Sequence, residues 1–117
     1  IIKQLNGDTK NIEGATYLTP FVATDTSEKV QAFVNTYKEK YNAEPDQFAA
    51  DGYDAVYAIK AAIEKAGDDT SNEALVSAMT QISVNGLTGD MTFDENGEPN
   101  KSAKVVVIKD GQYVAQN

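Results

Sequence analysis

The chain has no His, no Cys and no Arg among its 117 residues. Without His and Cys it cannot supply a Ser-His-Asp set, a thiol nucleophile or a Cys/His zinc site. Without Arg it lacks the planar, bidentate side chain that often holds carboxylate or phosphate groups. These absences argue against an enzyme, and we expect no catalytic residues, no metal site and no cofactor.

Acidic residues outnumber basic ones by 18 to 10, so the formal net charge is -8. An acidic surface repels phosphate backbones, and we therefore expect no nucleic-acid partner. Hydrophobic residues make up 41% of the chain and charged residues 24%, which is typical of a globular domain and argues against disorder. The length suits one modest domain rather than two lobes of ordinary size, and no apolar run is long enough to span a membrane.

The first part of the chain predicts a strand followed by a helix. Residues 14–19 are rich in strand-favouring side chains, and Pro20 ends that run because proline cannot donate to a sheet. Apolar residues at helical spacing predict a helix over 25–42. Asp25 and Glu28 have the spacing of a capping box at its start.

Two more helices are predicted before the pattern changes. Asp46 is a candidate cap for a second helix that runs to about Ala66. A third, shorter apolar stripe covers 70–82, where Thr70 and Glu73 again have capping-box spacing. The first two thirds of the chain therefore contain one strand and three helices.

The last third predicts strands. Residues 86–89 form a loop, 91–93 alternate like a half-buried strand, and 94–97 form a turn. The continuous apolar run 105–108 predicts a strand buried on both faces, and 110–111 predict a hairpin turn. The whole pattern is βααα followed by βββ, an α/β arrangement.

The polar clusters give weak signals for chemistry. Asp51 and Asp54 would lie a turn apart on the second helix, where a solvated helix face is the simplest interpretation. The acidic residues of 90–98 lack the spacing of a calcium loop and are interpreted as a solvated turn. The glycines of 86–89 do not form a phosphate-binding fingerprint.

Two aromatic residues are candidates for a ligand pocket. Phe21 follows the predicted first strand, and Phe48 lies at the start of the second helix. In open α/β sheets, ligands bind beyond the carboxyl ends of strands. Both rings could line such a pocket, and plain core packing stays open as the alternative.

An ordered set of short segments carries a resemblance to a known family. The segments are 13–21, 30–34 with 37–38, 44–46 with 48–50, 52–56, 86–89, 93–97 and 107–111. This order is similar to that in the C-terminal third of the branched-chain amino-acid-binding proteins of ABC importers, in the type I periplasmic-binding family. No single segment is diagnostic, but the ordered set is, and it covers nearly the whole chain.

The resemblance implies part of a fold with two α/β lobes, joined by a three-strand hinge and closed around a ligand. Residues 1–46 would belong to the second lobe and 47–103 to the first. Residues 104–117 would return to the second lobe as a strand and hairpin. Because the chain starts without Met, we expect it to be processed or cut from a longer one.

The implied function is an extracytoplasmic solute-binding receptor for branched-chain or other small apolar amino acids, delivering them to an ABC importer permease. It would work in the periplasm, or at the cell surface with a lipid anchor. Two alternatives stay open. The same fold serves as the sensor region of receptors and regulators, and relatives bind amides, urea or other small acids.

The resemblance also implies which part of the binding site this chain supplies. Phe48 matches the hinge-proximal aromatic that packs on the ligand side chain, and Phe21 would lie on the cleft rim of the second lobe. The groups that hold the ligand's carboxylate and ammonium would lie upstream of Ile1. We therefore expect the chain alone to bind no amino acid, and to self-associate or exchange segments with another copy.

Overall fold

The computed structural model describes residues 2–116, whose three helices and five strands confirm the mixed α/β class. A short 3-10 turn, Ile2–Leu5, precedes them. The elements in chain order are β1 (Thr16–Thr19), α1 (Glu28–Tyr41), α2 (Gln47–Ala66), α3 (Asn72–Met79), β2 (Ser83–Gly86), β3 (Gly89–Thr92), β4 (Lys104–Lys109) and β5 (Gln112–Ala115).

The chain divides into two compact units. Unit 1 contains the residues up to Gln47 together with those from Ala103 onward, and unit 2 is Phe48–Ser102. The chain therefore passes from unit 1 into unit 2 at the start of α2 and returns just before β4.

Unit 1 is built on an antiparallel sheet in the order β1-β4-β5. The register pairs Leu18 with Val105 across β1 and β4. Asp110 and Gly111 connect β4 to β5 with φ angles of 50° and 72°. Two positive φ angles in a two-residue loop are typical of a type I′ turn, so the predicted hairpin is confirmed.

Only one face of β4 is buried. Val106 and Ile108 are buried, whereas Val105 is exposed and Val107 is half-buried. The prediction that this strand is buried on both faces was wrong, because the sheet is antiparallel and the unit covers one of its faces. Apolar residues nevertheless occupy both faces.

The N-cap of helix α1 lies two residues later than the sequence indicates. Its N-cap is Ser27, and Asp25 Oδ1 instead accepts a hydrogen bond from the Ser27 backbone N–H at 2.8 Å, which closes a turn before the helix. The predicted cap at Asp25 was therefore wrong. The helix ends as expected at Asn42, whose φ of 50° places it in the left-handed region.

Unit 2 packs α2 and α3 with an antiparallel hairpin of β2 and β3. Its core is a cluster of small and medium apolar side chains: Ala58, Ala62, Ala78, Ile82, Val84 and Met91. The sequence did not predict β2, and α3 ends at Met79, so Ile82 joins the core from outside the helix.

The start of α3 gives a matched pair of variants. Ser71 is the N-cap, and its hydroxyl accepts a hydrogen bond from the Ala74 backbone N–H at 3.3 Å, whereas the sequence indicated Thr70. We expect Ser71→Ala to lower the free energy of unfolding by about 1 kcal/mol, as loss of an N-cap usually does. Thr70→Ala should change it by less than about 0.5 kcal/mol. Urea unfolding of both variants checks this, and equal losses would contradict the assignment of the cap.

Candidate functional site

Contacts within unit 1 fix the two places where the chain passes between unit 1 and unit 2. At the first passage, Thr19 Oγ1 donates a hydrogen bond to Gln47 Oε1 at 3.1 Å. At the second, the Lys104 ammonium forms an ion pair with the Asp25 carboxylate. Both passages are therefore attached to one stretch of chain, residues 19–25.

This anchoring segment, residues 19–25, is itself fixed within unit 1. Thr24 Oγ1 donates to the Tyr113 backbone carbonyl on β5 at 2.7 Å. The Gln31 amide group on α1 donates to two backbone carbonyls of the segment, at 2.6 and 3.0 Å. Hydrogen bonds from both the sheet and the helix thus position the segment.

Within unit 2, an ion pair links a residue near the start of the unit to a residue near its end. Asp51 lies in the second turn of α2, and Lys101 lies next to the residue at which unit 2 ends. Their Oδ1 and Nζ atoms are 3.5 Å apart. The entry and the exit of unit 2 therefore lie close together.

Phe48 is the first residue of unit 2 and lies in the first turn of α2. Its exposed fraction is 80%, the highest among the exposed large apolar side chains of residues 2–116. The ring is therefore exposed to solvent at the start of α2. Its role as the aromatic contact for a ligand stays a prediction.

Phe21 lies in the anchoring segment and has a different environment. Its exposed fraction is 4%, and its ring packs edge-to-face on Phe33 of α1, with centroids 6.0 Å apart. This ring contributes to the interior of unit 1. A place for Phe21 on a ligand-binding rim stays a prediction.

The structure buries a carboxylate that the sequence had indicated as solvated. Asp54 is only 2% exposed. Its carboxylate accepts hydrogen bonds from the Leu87 N–H at 2.7 Å, the Thr88 N–H at 2.8 Å and the Thr88 hydroxyl at 2.7 Å. The interpretation of Asp54 as part of a solvated face was wrong, because its partners lie more than 30 residues further along the chain.

The neighbouring glycine allows this close approach. A Cβ atom added at Gly86 would lie 2.5 Å from Asp54 Oδ2 and 2.7 Å from the Met91 methyl group. Asp54 therefore fixes the loop of the β2–β3 hairpin to α2. A general base must reach its substrate, and the Asp54 carboxylate is buried and already accepts three hydrogen bonds. These contacts fit a structural role for Asp54.

The described part of the chain offers neither a metal site nor a membrane span. No group of three or more acidic side chains within residues 2–116 is arranged to hold a metal ion. None of the helices described combines the length and the apolar character that crossing a bilayer requires.

A comparison of two aspartates on α2 tests the role of Asp54. We expect Asp54→Asn to lower the free energy of unfolding by about 3 kcal/mol, because the new NH₂ group faces buried donors. Asp51→Asn breaks only a partly exposed ion pair and should cost less than about 1 kcal/mol. Urea unfolding measures both values. Similar losses in the two variants would show that the buried carboxylate has no special role.

The Asp25–Lys104 pair predicts a pH dependence. Burial by itself raises the pKa of the Asp25 carboxyl, but hydrogen bonds from Lys104 and Ser27 outweigh burial and hold the pKa below its usual value. A lowered pKa adds stability that is present above the unfolded-state pKa of about 3.9 and is lost as the pH falls through the folded-state value.

Unfolding of Asp25→Asn should therefore depend less on pH than unfolding of the unmodified chain. We expect the variant to be less stable at pH 7 and to lose less stability as the pH falls below about 4, measured by urea unfolding at each pH. Glu44→Gln is the control, because the Lys38–Glu44 pair is exposed and contributes little. Equal acid losses with and without Asp25 would contradict the account.

Comparison with known families adds the decisive observation. A family profile described as periplasmic binding protein matches residues 2–112, almost the whole chain. The chain belongs to this family. The resemblance to type I periplasmic-binding proteins, noted from the ordered sequence segments, is thereby confirmed.

Solved structures of family members agree with the fold. A protein from Rhodospirillum rubrum, assigned as a branched-chain amino acid ABC transporter, is 31% identical with a TM-score of 0.82 over 99% of this chain. The leucine binding protein of Thermotoga maritima is 31% identical with a TM-score of 0.79 over 99%. A substrate-binding protein from Desulfitobacterium hafniense, in complex with Leu, is 26% identical with a TM-score of 0.76 over 93%.

This chain spans about a third of the length of these proteins, since it covers 34%, 33% and 33% of them respectively. The fold described here is thus one part of the two-lobed periplasmic-binding fold. Two of these three proteins are described as proteins of ABC transporters, and the third is described as a leucine binding protein.

Proposed function

We propose that the chain forms part of an extracytoplasmic receptor that captures branched-chain or other small apolar amino acids and delivers them to the permease of an ABC importer. The family match over residues 2–112 is the observation that carries this proposal. The leucine binding protein of T. maritima and the Leu complex from D. hafniense support an aliphatic amino acid as ligand. Periplasmic-binding proteins work outside the cytoplasm, in the periplasm or tethered to the cell surface.

Phe48 would supply the apolar wall of the binding site. Its ring is exposed where the chain enters unit 2, so an aliphatic side chain could pack on it. Burying such a side chain contributes about 1.5–3 kcal/mol. Micromolar affinity needs about 8 kcal/mol, so most of the binding energy must come from polar groups elsewhere. The resemblance assigns those groups to residues upstream of this chain.

The two anchored passages suit a receptor that closes by bending. Gln47 and Lys104 are each bonded to the anchoring segment, so unit 1 can move as one body up to those residues. Bending would then be confined to the few residues beyond them. A ligand that binds the closed form more tightly shifts the equilibrium toward it, and the closed form is what a permease would recognise. This work needs no chemical step.

A chimera tests the proposed ligand. In it, this chain replaces the matching third of the T. maritima leucine binding protein. We expect Leu, Ile or Val to raise its melting temperature, because ligand at a hundredfold excess over Kd adds about 2.7 kcal/mol of stability. Charged amino acids should produce no shift. Phe48→Ala in the chimera should weaken leucine binding by about tenfold or more in a calorimetric titration.

Tyr57→Ala is the matched control, since Tyr57 is another exposed aromatic residue on α2 and pairs with Tyr53. It should leave the affinity for leucine unchanged. A chimera that melts cooperatively but responds to no aliphatic amino acid would contradict the proposed ligand. Amides, urea and small acids would then form the next panel. Equal effects of the two substitutions would remove Phe48 from the site.

A further inference from the structure

Asparagine is followed directly by glycine at three places in the chain: Asn6-Gly7, Asn85-Gly86 and Asn96-Gly97. Such a pair is chemically reactive, because the glycine nitrogen can reach the carbonyl carbon of the asparagine side chain without interference from a Cβ atom. All three asparagines are exposed to solvent, so exposure alone would predict that all three react. The backbone around each of them differs, and this difference separates the three sites.

The Asn96 site lies in an exposed turn, residues 94–97. Gly97 has a φ of 81°, and a Cβ atom added to it would meet no atom within 4 Å. Its N–H donates a hydrogen bond to the Asp94 backbone carbonyl at 3.0 Å. Because this bond lies within a solvent-exposed turn, opening it locally costs little. The Gly97 nitrogen is therefore free to approach the Asn96 side chain once the turn opens.

The Asn6 site has the same features. Asn6 and Gly7 follow the 3-10 turn, with φ angles of 51° and 82°. A Cβ atom added at Gly7 would again meet no atom within 4 Å. The Gly7 N–H donates to the Ile2 backbone carbonyl at 3.2 Å, which is long for such a bond. This turn, too, can open without breaking a β ladder.

The Asn85 site is fixed by its strand, by a side-chain hydrogen bond and by close packing. Asn85 pairs with Asp90, and Gly86 pairs with Gly89, in the antiparallel ladder of β2 and β3. The Asn85 side-chain amide donates a hydrogen bond to the Asp90 carboxylate. A Cβ atom added at Gly86 would lie only 2.5 Å from Asp54 Oδ2. The backbone of this pair therefore has no room to turn the glycine nitrogen toward the asparagine side chain.

We propose that Asn6 and Asn96 are sites of spontaneous isoaspartate formation, and that the β2–β3 hairpin protects Asn85 from the same reaction. At Asn96, the Gly97 nitrogen attacks the side-chain Cγ atom and forms an N–C bond. The Cγ–Nδ2 bond breaks, and Nδ2 leaves as ammonia with the proton of the Gly97 N–H. Water then opens the cyclic imide at either carbonyl, which gives aspartate or isoaspartate. Asn6 and Gly7 follow the same steps, and nothing is oxidised or reduced.

Modification at Asn96 would alter the turn that contains it. Asp94 Oδ1 accepts hydrogen bonds from the backbone N–H groups of Asn96 and Glu98, both at 2.9 Å. Isoaspartate adds its Cβ atom to the backbone, which displaces these two donors. The reaction also places a new carboxylate close to Asp94, Glu95 and Glu98, and like charges repel one another. The modified turn should therefore lose the contacts that Asp94 makes.

The test incubates the full chain at mildly alkaline pH, both folded in buffer and unfolded in guanidinium chloride. Tandem mass spectrometry of the digested chain measures conversion at each asparagine, and a methyltransferase specific for isoaspartate labels the product. In the folded chain, Asn85 should react about tenfold or more slowly than Asn6 and Asn96, because several hydrogen bonds must open together before it reacts. In guanidinium chloride the three rates should be similar, because the ladder is lost.

Two glutamine variants form a matched pair. Glutamine would have to form a larger ring, and the reaction is then much slower. Asn96→Gln should therefore remove the isoaspartate label at that position and leave conversion of Asn6 unchanged. Asn85→Gln should leave the total label in the folded chain unchanged, because Asn85 is already protected there.

Three outcomes would overturn the inference. Conversion of Asn85 as fast as that of Asn96 in the folded chain would show that the hairpin gives no protection. Conversion of Asn6 or Asn96 as slow as that of Asn85 would show that their turns prevent the reaction. The same order of rates in guanidinium chloride would assign the difference to the local sequence rather than to the fold. These rates involve no ligand, so the result is independent of the proposed function.

Discussion

The rest of the structure depends on one constraint: each unit buries only one of the two apolar faces that its main element presents. In unit 1 the sheet buries Val106 and Ile108 while Leu18 and Val105 remain exposed. In unit 2, α2 buries a row of alanines while Val56, Ile59 and Ile63 remain exposed. This pattern agrees with a chain that folds as a third of its relatives and retains their local geometry.

Within each unit, polar contacts fix particular segments of the chain. The anchoring segment, residues 19–25, holds the first passage through Thr19 and the second through Asp25. Unit 2 is held in a different way, by one buried carboxylate that joins its first helix to its hairpin loop. Both arrangements hold segments in place within a single unit.

Local patterns predicted most of the elements, and the errors concern information that is not local. The helical stripes and the Asp110–Gly111 turn were predicted correctly because spacing and turn chemistry are read along the chain. Strand β2 was missed because Ser83–Gly86 is short and contains one β-branched residue, so its partner strand rather than its composition makes it a strand. Asp54 was misread because the amides it binds are 33 and 34 residues away. For the site, the sequence pointed to Phe48 and Phe21 by position, but only coordinates separate an exposed ring from a buried one.

The proposal central to this account is that the chain forms part of a solute-binding receptor in which Phe48 contacts the ligand. A crystal structure of the chimera with the T. maritima leucine binding protein, grown with leucine, tests it most directly. The account predicts van der Waals contact, about 4 Å, between the Phe48 ring and the leucine side chain. A ligand that lies away from Phe48 would contradict it.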